Sequence, residues 1–228
     1  MGPTAPAAHF VPPQTPCLAA KTLDLSDASL WSTKQAAEAT CPTDQPNAFS
    51  RPNRYDLEKR KPSMRLGILS DTHNHRPSMQ YAIQALHHRG AGFIIHCGDI
   101  CSPDLLDCLV GLPAGFVWGN SDQDRPGLQR RAKALGIHCF GDFEEIEALG
   151  QKLAVIHGDD NTRMQAILRE QRYDYLLCGH SHVWRDERVG RTRIINPGAL
   201  KRTKDETKEL TCALLDLRNG QLEKITIG

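Results

Sequence analysis

The stretch Leu66-Gly67-Ile68-Leu69-Ser70-Asp71-Thr72-His73 is a short apolar run that leads directly into two residues able to bind a metal ion. Four later apolar runs follow the same plan and end at Asp99, Asn120, His157 and His180-Ser181-His182. Runs this short, bounded by turn residues, predict buried strands. Ligands of open α/β sheets lie just past the carboxyl ends of their strands. The sequence therefore predicts two aspartates, one asparagine and four histidines on one rim.

Composition limits the classes of function that fit the chain. Its 228 residues, with 39% hydrophobic and 24% charged residues, suffice for one good-sized domain or two small ones. A formal net charge of +1 provides no strong field for nucleic acid or an anionic membrane. No apolar stretch approaches the roughly 18 residues that a bilayer span needs. We therefore expect no membrane partner and no stable nucleic-acid scaffold.

Eight cysteines could form a disulfide framework, but their positions argue against one. Cys97 and Cys178 lie inside apolar runs, and no CxxC pair occurs. Small buried thiols are typical of a reducing compartment, which predicts a cytoplasmic protein. The N-terminus lacks a basic flank followed by an apolar core, so no secretory signal is expected. A transit peptide is the alternative, which the acidic residues Asp24, Asp27 and Glu38 oppose.

Residues 1–62 differ from the rest of the chain because they contain nine of its fourteen prolines. We interpret them as a mostly disordered extension, with one short helical turn allowed between residues 25 and 39. Residues 63–228 form the predicted domain. Helices are expected after Pro77, from Ser102-Pro103 with Ser102 as the cap, after Pro126, and from Asn161 as the cap. Beyond His182 only strands follow, with a turn at Asn219-Gly220, which predicts an α/β sandwich of two sheets flanked by helices.

Carboxylate, imidazole and amide ligands together suit Mn²⁺, Fe, Zn²⁺ or Ni²⁺, whereas a set made only of carboxylates would favour Mg²⁺ or Ca²⁺. Two such ions roughly 3.5–4 Å apart can share a carboxylate and a hydroxide that attacks phosphorus. Each motif alone has an ordinary structural interpretation as a turn or a helix cap. The five strand ends together do not, because four of them carry ionisable groups and burying unpaired charge is costly.

The five blocks Asp71-Thr72-His73, Gly98-Asp99, Gly119-Asn120-Ser121-Asp122, His157-Gly158 and Gly179-His180-Ser181-His182 resemble those of the calcineurin-like metallophosphoesterases. Asn196-Pro197-Gly198-Ala199 resembles the Asn-Pro-Gly-Ser turn of the small prokaryotic phosphodiesterase subfamily, which is related to the retromer subunit Vps29. The resemblance covers residues 64 to 228. It implies a four-layer αββα sandwich of two mixed β-sheets flanked by helices.

The resemblance also implies a role for each ligand. Asp71, His73 and His182 would bind one divalent ion, and Asp99 would bridge both ions. The site of the second ion would be completed by Asn120, His157 and His180. Asn120 would also contact a phosphate oxygen, so Asn120 and Asp99 are the predicted catalytic groups. Manganese is the expected metal, with iron, zinc and nickel as alternatives.

The chain departs from the family at Ser121, where many members have a histidine that is thought to protonate the leaving group. Without that acid, substrates with good leaving groups should be favoured. His75 is a candidate for the proton role, against the alternative of a solvent-exposed loop residue. Asp159-Asp160 could orient a ligand or cap a helix, and Lys201-Arg202 could hold a phosphate or lie in a solvated loop.

These observations predict a dinuclear phosphodiesterase that hydrolyses small phosphodiesters or nucleotides. The alternatives are a phosphomonoesterase, including a protein phosphatase or a nucleotide-polyphosphate hydrolase, and a non-catalytic scaffold like Vps29. Members of the small subfamily often form oligomers, so a homo-oligomer is allowed, although no residue pattern specifies an interface.

Overall fold

The computed structural model describes residues 23–25, 64–201 and 209–227. Within these residues, two six-stranded sheets pack face to face. The strands are β1 Leu23–Asp24, β2 Arg65–Leu69, β3 Phe93–His96, β4 Ala114–Phe116, β5 His138–Cys139, β6 Glu144–Ala148, β7 Gln151–Val155, β8 Tyr175–Leu177, β9 Trp184–Val189, β10 Thr192–Pro197, β11 Leu210–Asp216 and β12 Gln221–Ile227. The helices are α1 Arg76–His88, a 3₁₀ helix Pro103–Leu109, α2 Arg125–Leu135 and α3 Asn161–Glu170.

Both sheets are mixed, as predicted. One sheet has the order β12-β11-β2-β3-β4-β5, in which β2 to β5 are parallel and β11 runs antiparallel to both of its neighbours. The other has the order β1-β6-β7-β8-β10-β9, with β7, β8 and β10 parallel. The parallel strands that precede the predicted ligands therefore end on the same side of their sheets.

Alternation along β2 shows how the layers arise. Leu66 and Ile68 lie in the cluster between the two sheets, whereas Leu69 lies in the cluster under α1 and α2. A third cluster packs Ile167 of α3 against the outer face of the other sheet. Successive side chains of a strand point to opposite faces. Each sheet therefore has one apolar face that packs against the other sheet and one that packs against helices. The predicted four-layer sandwich is confirmed.

Helix α1 begins where the sequence predicts it. Pro77 lies in its first turn, and Ala82, Ile83 and Leu86 form its buried face. The segment after Ser102 is a 3₁₀ helix, and the Ser102 side chain makes no capping hydrogen bond, so that predicted cap is wrong. None of the described helices has the length and apolar character that crossing a membrane requires.

The N-terminal ends of α2 and α3 are fixed by aspartates. Asp124 caps α2, which ends at Gly136 with a left-handed φ of 70°. Asp160 caps α3 by accepting the Arg163 N–H, so Asn161 is the first helical residue rather than the predicted cap. Both caps place the start of their helix next to a loop that carries predicted ligands.

Three residues of the predicted extension are described by the structure, and two of them, Leu23 and Asp24, belong to the sheet. Leu23 and Asp24 pair in parallel with Ile146 and Glu147 of β6, and the Leu25 N–H bonds to the Glu147 carbonyl at 2.9 Å. Leu25 is fully buried between the sheets. The rest of the extension, including most of the helical turn allowed between residues 25 and 39, lies outside the described residues.

Candidate metal centre

The seven predicted metal ligands all follow strand ends, and most of them have unusual backbone conformations. Five of the seven have positive φ, at values between 42° and 66°, namely Asp71, His73, Asp99, His180 and His182. Holding a residue other than glycine in this backbone conformation costs of order 1–3 kcal/mol, and the conformation persists only when the surrounding structure fixes it. Strain concentrated in this way at one edge of the molecule indicates a functional site.

The first group of ligands gathers around Asp71. Its Oδ1 lies 3.1 Å from His182 Nε2 and 3.9 Å from His73 Nε2, and the two ring nitrogens are 3.2 Å apart. Asp71 is fully buried, and its other oxygen accepts the His180 backbone N–H at 2.9 Å. Three ligand atoms thus converge on a space of the size that one ion occupies.

The second group gathers around the side-chain oxygen of Asn120. Asn120 Oδ1 lies 3.0 Å from His157 Nε2 and 3.0 Å from His180 Nδ1. His157 is buried, and its ring is 5.2 Å from that of His180, edge to face. Ligands from β4, β7 and β8 therefore meet across the gap between the two sheets.

Asp99 lies between the two groups. One carboxylate oxygen is 3.5 Å from His73 Nε2, and the other is 3.6 Å from His157 Nε2. Ser121 donates its backbone N–H to Oδ1 at 2.8 Å and its hydroxyl to Oδ2 at 2.9 Å. The carboxylate is thus held in one orientation by a residue that occupies the position of the missing histidine.

The chemistry of these donors fits divalent cations. Asp71 Oδ1 is buried without a hydrogen-bond partner, although two imidazole nitrogens face it. Burial lowers the pKa of His73, so its ring is neutral and offers a lone pair, as a ligand must. Burial alone raises the pKa of Asp71, but the His182 and Ser70 side chains outweigh it and keep the carboxyl ionised. Carboxylate and imidazole donor atoms this close together form a site that a divalent cation fits.

The outer nitrogens of two ligand histidines have fixed partners. His157 Nδ1 lies 2.8 Å from the Cys97 carbonyl oxygen, so that nitrogen carries the proton. The Nε2 of His157 then presents its lone pair to Asp99 and Asn120. His73 Nδ1 lies 3.6 Å from Cys101 Sγ, which can accept a hydrogen bond from that N–H in the same way. Partners of this kind set the tautomer and the orientation of a ligand ring.

Two supporting residues were missed as such by the sequence reasoning. Asp122 is buried and accepts the backbone N–H groups of Asp99, Cys101 and Gly119 at 3.0, 2.6 and 2.7 Å. His96, the last residue of β3, is also buried; its ring accepts the Gly98 N–H and contacts the Thr72 hydroxyl at 2.6 Å. The only sequence signal for Asp122 was its place two residues after Asn120, and that place indicated no role for it.

Two motif glycines are required because the chain passes very close to the ligands. A Cβ at Gly119 would lie 2.1 Å from Asp99 Oδ1, and a Cβ at Gly179 would lie 1.8 Å from Ser70 Oγ. Any side chain there would displace a carboxylate or its support. The Gly-Asn and Gly-His pairs of the sequence thus have a steric basis.

Other predicted residues lie at the edge of the site. His75 is exposed and caps α1, with Nδ1 2.7 Å from Ser78 Oγ. Asp160 caps α3, and Lys201 is exposed. Asn196 holds the loop of His180 by donating to the Gly179 carbonyl at 2.6 Å and to Ser181 Oγ at 3.1 Å. The structure therefore joins all seven predicted ligands and gives His75 a capping contact instead.

Comparison with known proteins supplies the relatives of this arrangement. Residues 64–220 match the calcineurin-like phosphoesterase superfamily domain. Phosphodiesterase MJ0936 of Methanocaldococcus jannaschii is 30% identical over 138 residues, which span 59% of this chain and 83% of that protein. The solved structure of a novel archaeal phosphodiesterase superposes with a TM-score of 0.65 at 27% identity, over 71% of this chain and 99% of that one. Zinc-bound Vps29 of Entamoeba histolytica shares the fold, with a TM-score of 0.52 at 16% identity, over 72% and 99% of the two chains.

Proposed function

The chain belongs to the calcineurin-like phosphoesterase superfamily, and on that premise we propose that it is a phosphodiesterase with two divalent metal ions that hydrolyses small phosphodiesters or nucleotides. One observation carries the proposal. All seven predicted ligand side chains lie in two adjoining groups, and the buried Asp71 Oδ1 has no hydrogen-bond partner among the described residues. A metal centre explains the whole arrangement.

In this proposal Asp71, His73 and His182 hold one ion, and Asn120, His157 and His180 hold the other. Asp99 reaches both, because its two oxygens face His73 and His157 at 3.5 and 3.6 Å. When bound, two such ions supply a nucleophile by lowering the pKa of water and neutralise charge on the phosphoryl group. The donor set suits manganese, iron, zinc or nickel, and among these we propose manganese.

Asn120 has a second role in this proposal. Its Oδ1 faces two histidines, which leaves Nδ2, with a 3.4 Å contact to Ser121 Oγ, to donate to a phosphoryl oxygen. Such a donor stabilises charge that grows in the transition state.

Ser121 cannot replace the missing histidine acid, because its hydroxyl donates to Asp99. His75 remains a predicted proton donor, although its described contacts belong to the cap of α1. Substrates whose leaving groups need little protonation are therefore favoured. General acid catalysis is worth roughly 10²–10⁴-fold, so the preference for such leaving groups should be large.

The cellular location and the partners of the protein are proposed on separate grounds. All six described cysteines are free thiols, which supports the proposed cytoplasmic location. A small phosphoester is the proposed partner. A homo-oligomer is allowed by the resemblance, and the mass in solution tests it.

The test is turnover of an activated aryl phosphodiester and the matching aryl monoester by the Mn²⁺-loaded protein. We expect faster diester turnover, loss of activity in Asp99→Ala, and little change in the control Asp104→Ala, which removes an exposed carboxylate from the 3₁₀ helix. Faster monoester turnover would favour the phosphomonoesterase alternative. Fewer than two bound metal equivalents together with no turnover would favour the scaffold and refute the proposal.

A further inference from the structure

A cleft opens directly beside the candidate metal centre. Its volume is about 260 Å³, and His157 forms part of its wall. The cleft is also lined by Trp118, just before the Gly119-Asn120 loop, by Arg125 at the start of α2 and by Arg163 in the first turn of α3. A group bound in this cleft would adjoin the ligands of the second ion.

One wall of the cleft is a flat stacking surface. The guanidinium carbon of Arg125 lies 4.8 Å from the centre of the Trp118 ring. Asp142 fixes that guanidinium, with an N···O distance of 3.2 Å, and the side chain of Arg125 remains 42% exposed. Aromatic rings and guanidinium planes are the surfaces on which nucleobases stack. The wall therefore suits a planar ring.

The edge of the cleft carries both donors and acceptors. Arg163 donates to the Asp142 carbonyl at 3.4 Å, and the exposed carboxylate of Asp159 lies on the same lining. A simple anion would meet the carboxylates of Asp142 and Asp159 as well as the two guanidinium groups. A nucleobase carries donors and acceptors on its own edge, so this mixed lining matches it better.

The size of the cleft sets the extent of the ligand. Pockets for whole drug-sized ligands have volumes of roughly 300–1,000 Å³, so about 260 Å³ accommodates one ring system and its sugar rather than two. We propose that this cleft binds the nucleobase of a nucleoside phosphate whose phosphoryl group lies over the metal centre. This inference rests on the proposed function and narrows its substrate class to nucleoside phosphoesters.

The test compares two probes that differ only by the base, adenosine 5′-monophosphate and ribose 5-phosphate. Their dissociation constants are measured by calorimetry with the Mn²⁺-loaded protein. We expect the nucleotide to bind about 5- to 150-fold more tightly, the range that one stacked base provides. Arg125→Ala should remove most of this ratio. Arg169→Ala, an exposed arginine of α3 outside the cleft, is the matched control and should keep it.

Equal affinities for the two probes in the wild type, or a ratio that survives Arg125→Ala, would overturn the inference. Because binding is measured directly, the result does not depend on turnover. If the wild-type protein does not hydrolyse the aryl esters but still shows the expected ratio of dissociation constants, the proposed activity is refuted and the nucleoside-binding cleft is not.

Discussion

Asp122 offers the sharpest test of how the centre is held together. Its Oδ2 accepts the N–H groups of Asp99 and Gly119, and its Oδ1 accepts that of Cys101 at 2.6 Å. The Asp122→Asn substitution preserves the shape of the side chain, but asparagine has only one oxygen that can accept these hydrogen bonds. If that oxygen keeps the first two bonds, the amide NH₂ group faces the Cys101 N–H, donor against donor.

The cost follows from these contacts. A hydrogen bond to a charged group contributes about 1.5–3 kcal/mol, and a buried donor left unsatisfied adds a penalty of similar size. The substitution removes one hydrogen bond, and the two that remain no longer have a charged acceptor. It should therefore lower the free energy of unfolding by about 2–4 kcal/mol. For a chain of this length, that corresponds to a drop in Tm of about 4–16 °C. Asp99 and the Asn120 loop lose their common anchor, so metal affinity should fall as well.

Thermal unfolding of metal-free protein and a Mn²⁺ titration measure the two effects separately. Asp124→Asn is the matched control, because Asp124 lies two residues away and caps α2 by accepting the Gly127 N–H at 2.9 Å. Asparagine caps a helix about as well as aspartate, so the control should change Tm little. Equal Tm and metal affinity in the two variants would refute the role of Asp122 as the anchor of both loops.

Three further predictions concern metal affinity and stability. Cys101→Ala, which removes the sulfur facing His73 Nδ1, should weaken metal binding about 10-fold, whereas Cys108→Ala should not; equal affinities would contradict this. Leu25→Ala should cost about 2–5 kcal/mol in urea unfolding, against little for the half-exposed Leu149→Ala on the β6–β7 hairpin; no cost at Leu25 would show that β1 does not stabilise the fold. Burial lowers the pKa of His96 to about 4, below the 6.5 of an unfolded chain, so the unfolded state takes up its proton first as the pH falls. Stability should then drop by about 3 kcal/mol between pH 6.5 and 4, and a slope unchanged in His96→Gln would contradict it.

The sequence predicted much of the fold because its signals are local. Apolar runs of four or five residues with turn residues at their ends correspond to β2, β3, β7 and β8, and the later strands follow the predicted pattern. The helix caps were less certain. At the start of α3, Asp160 and Asn161 are both capping residues, and only the backbone conformation selects Asp160.

The order of polar residues at strand ends also indicated the ligands, because parallel strands bring their carboxyl ends to one rim. Residue types alone could not identify the supports. Asp122 acts on backbone N–H groups of three separate loop positions, and Leu23 pairs with a strand more than 100 residues away along the chain. Such contacts leave no periodic or spacing signal.

The sequence by itself therefore determined which residues could bind metal, since carboxylate, amide and imidazole groups follow five buried strands in one order. The tertiary structure decided how they are held and what lies beside them. Only folding places Ser121 against the carboxylate of Asp99 and stacks Arg125 on Trp118 next to His157. The physical reason is that strand ends are encoded locally, whereas orientation and pocket shape arise from side chains that meet across two sheets.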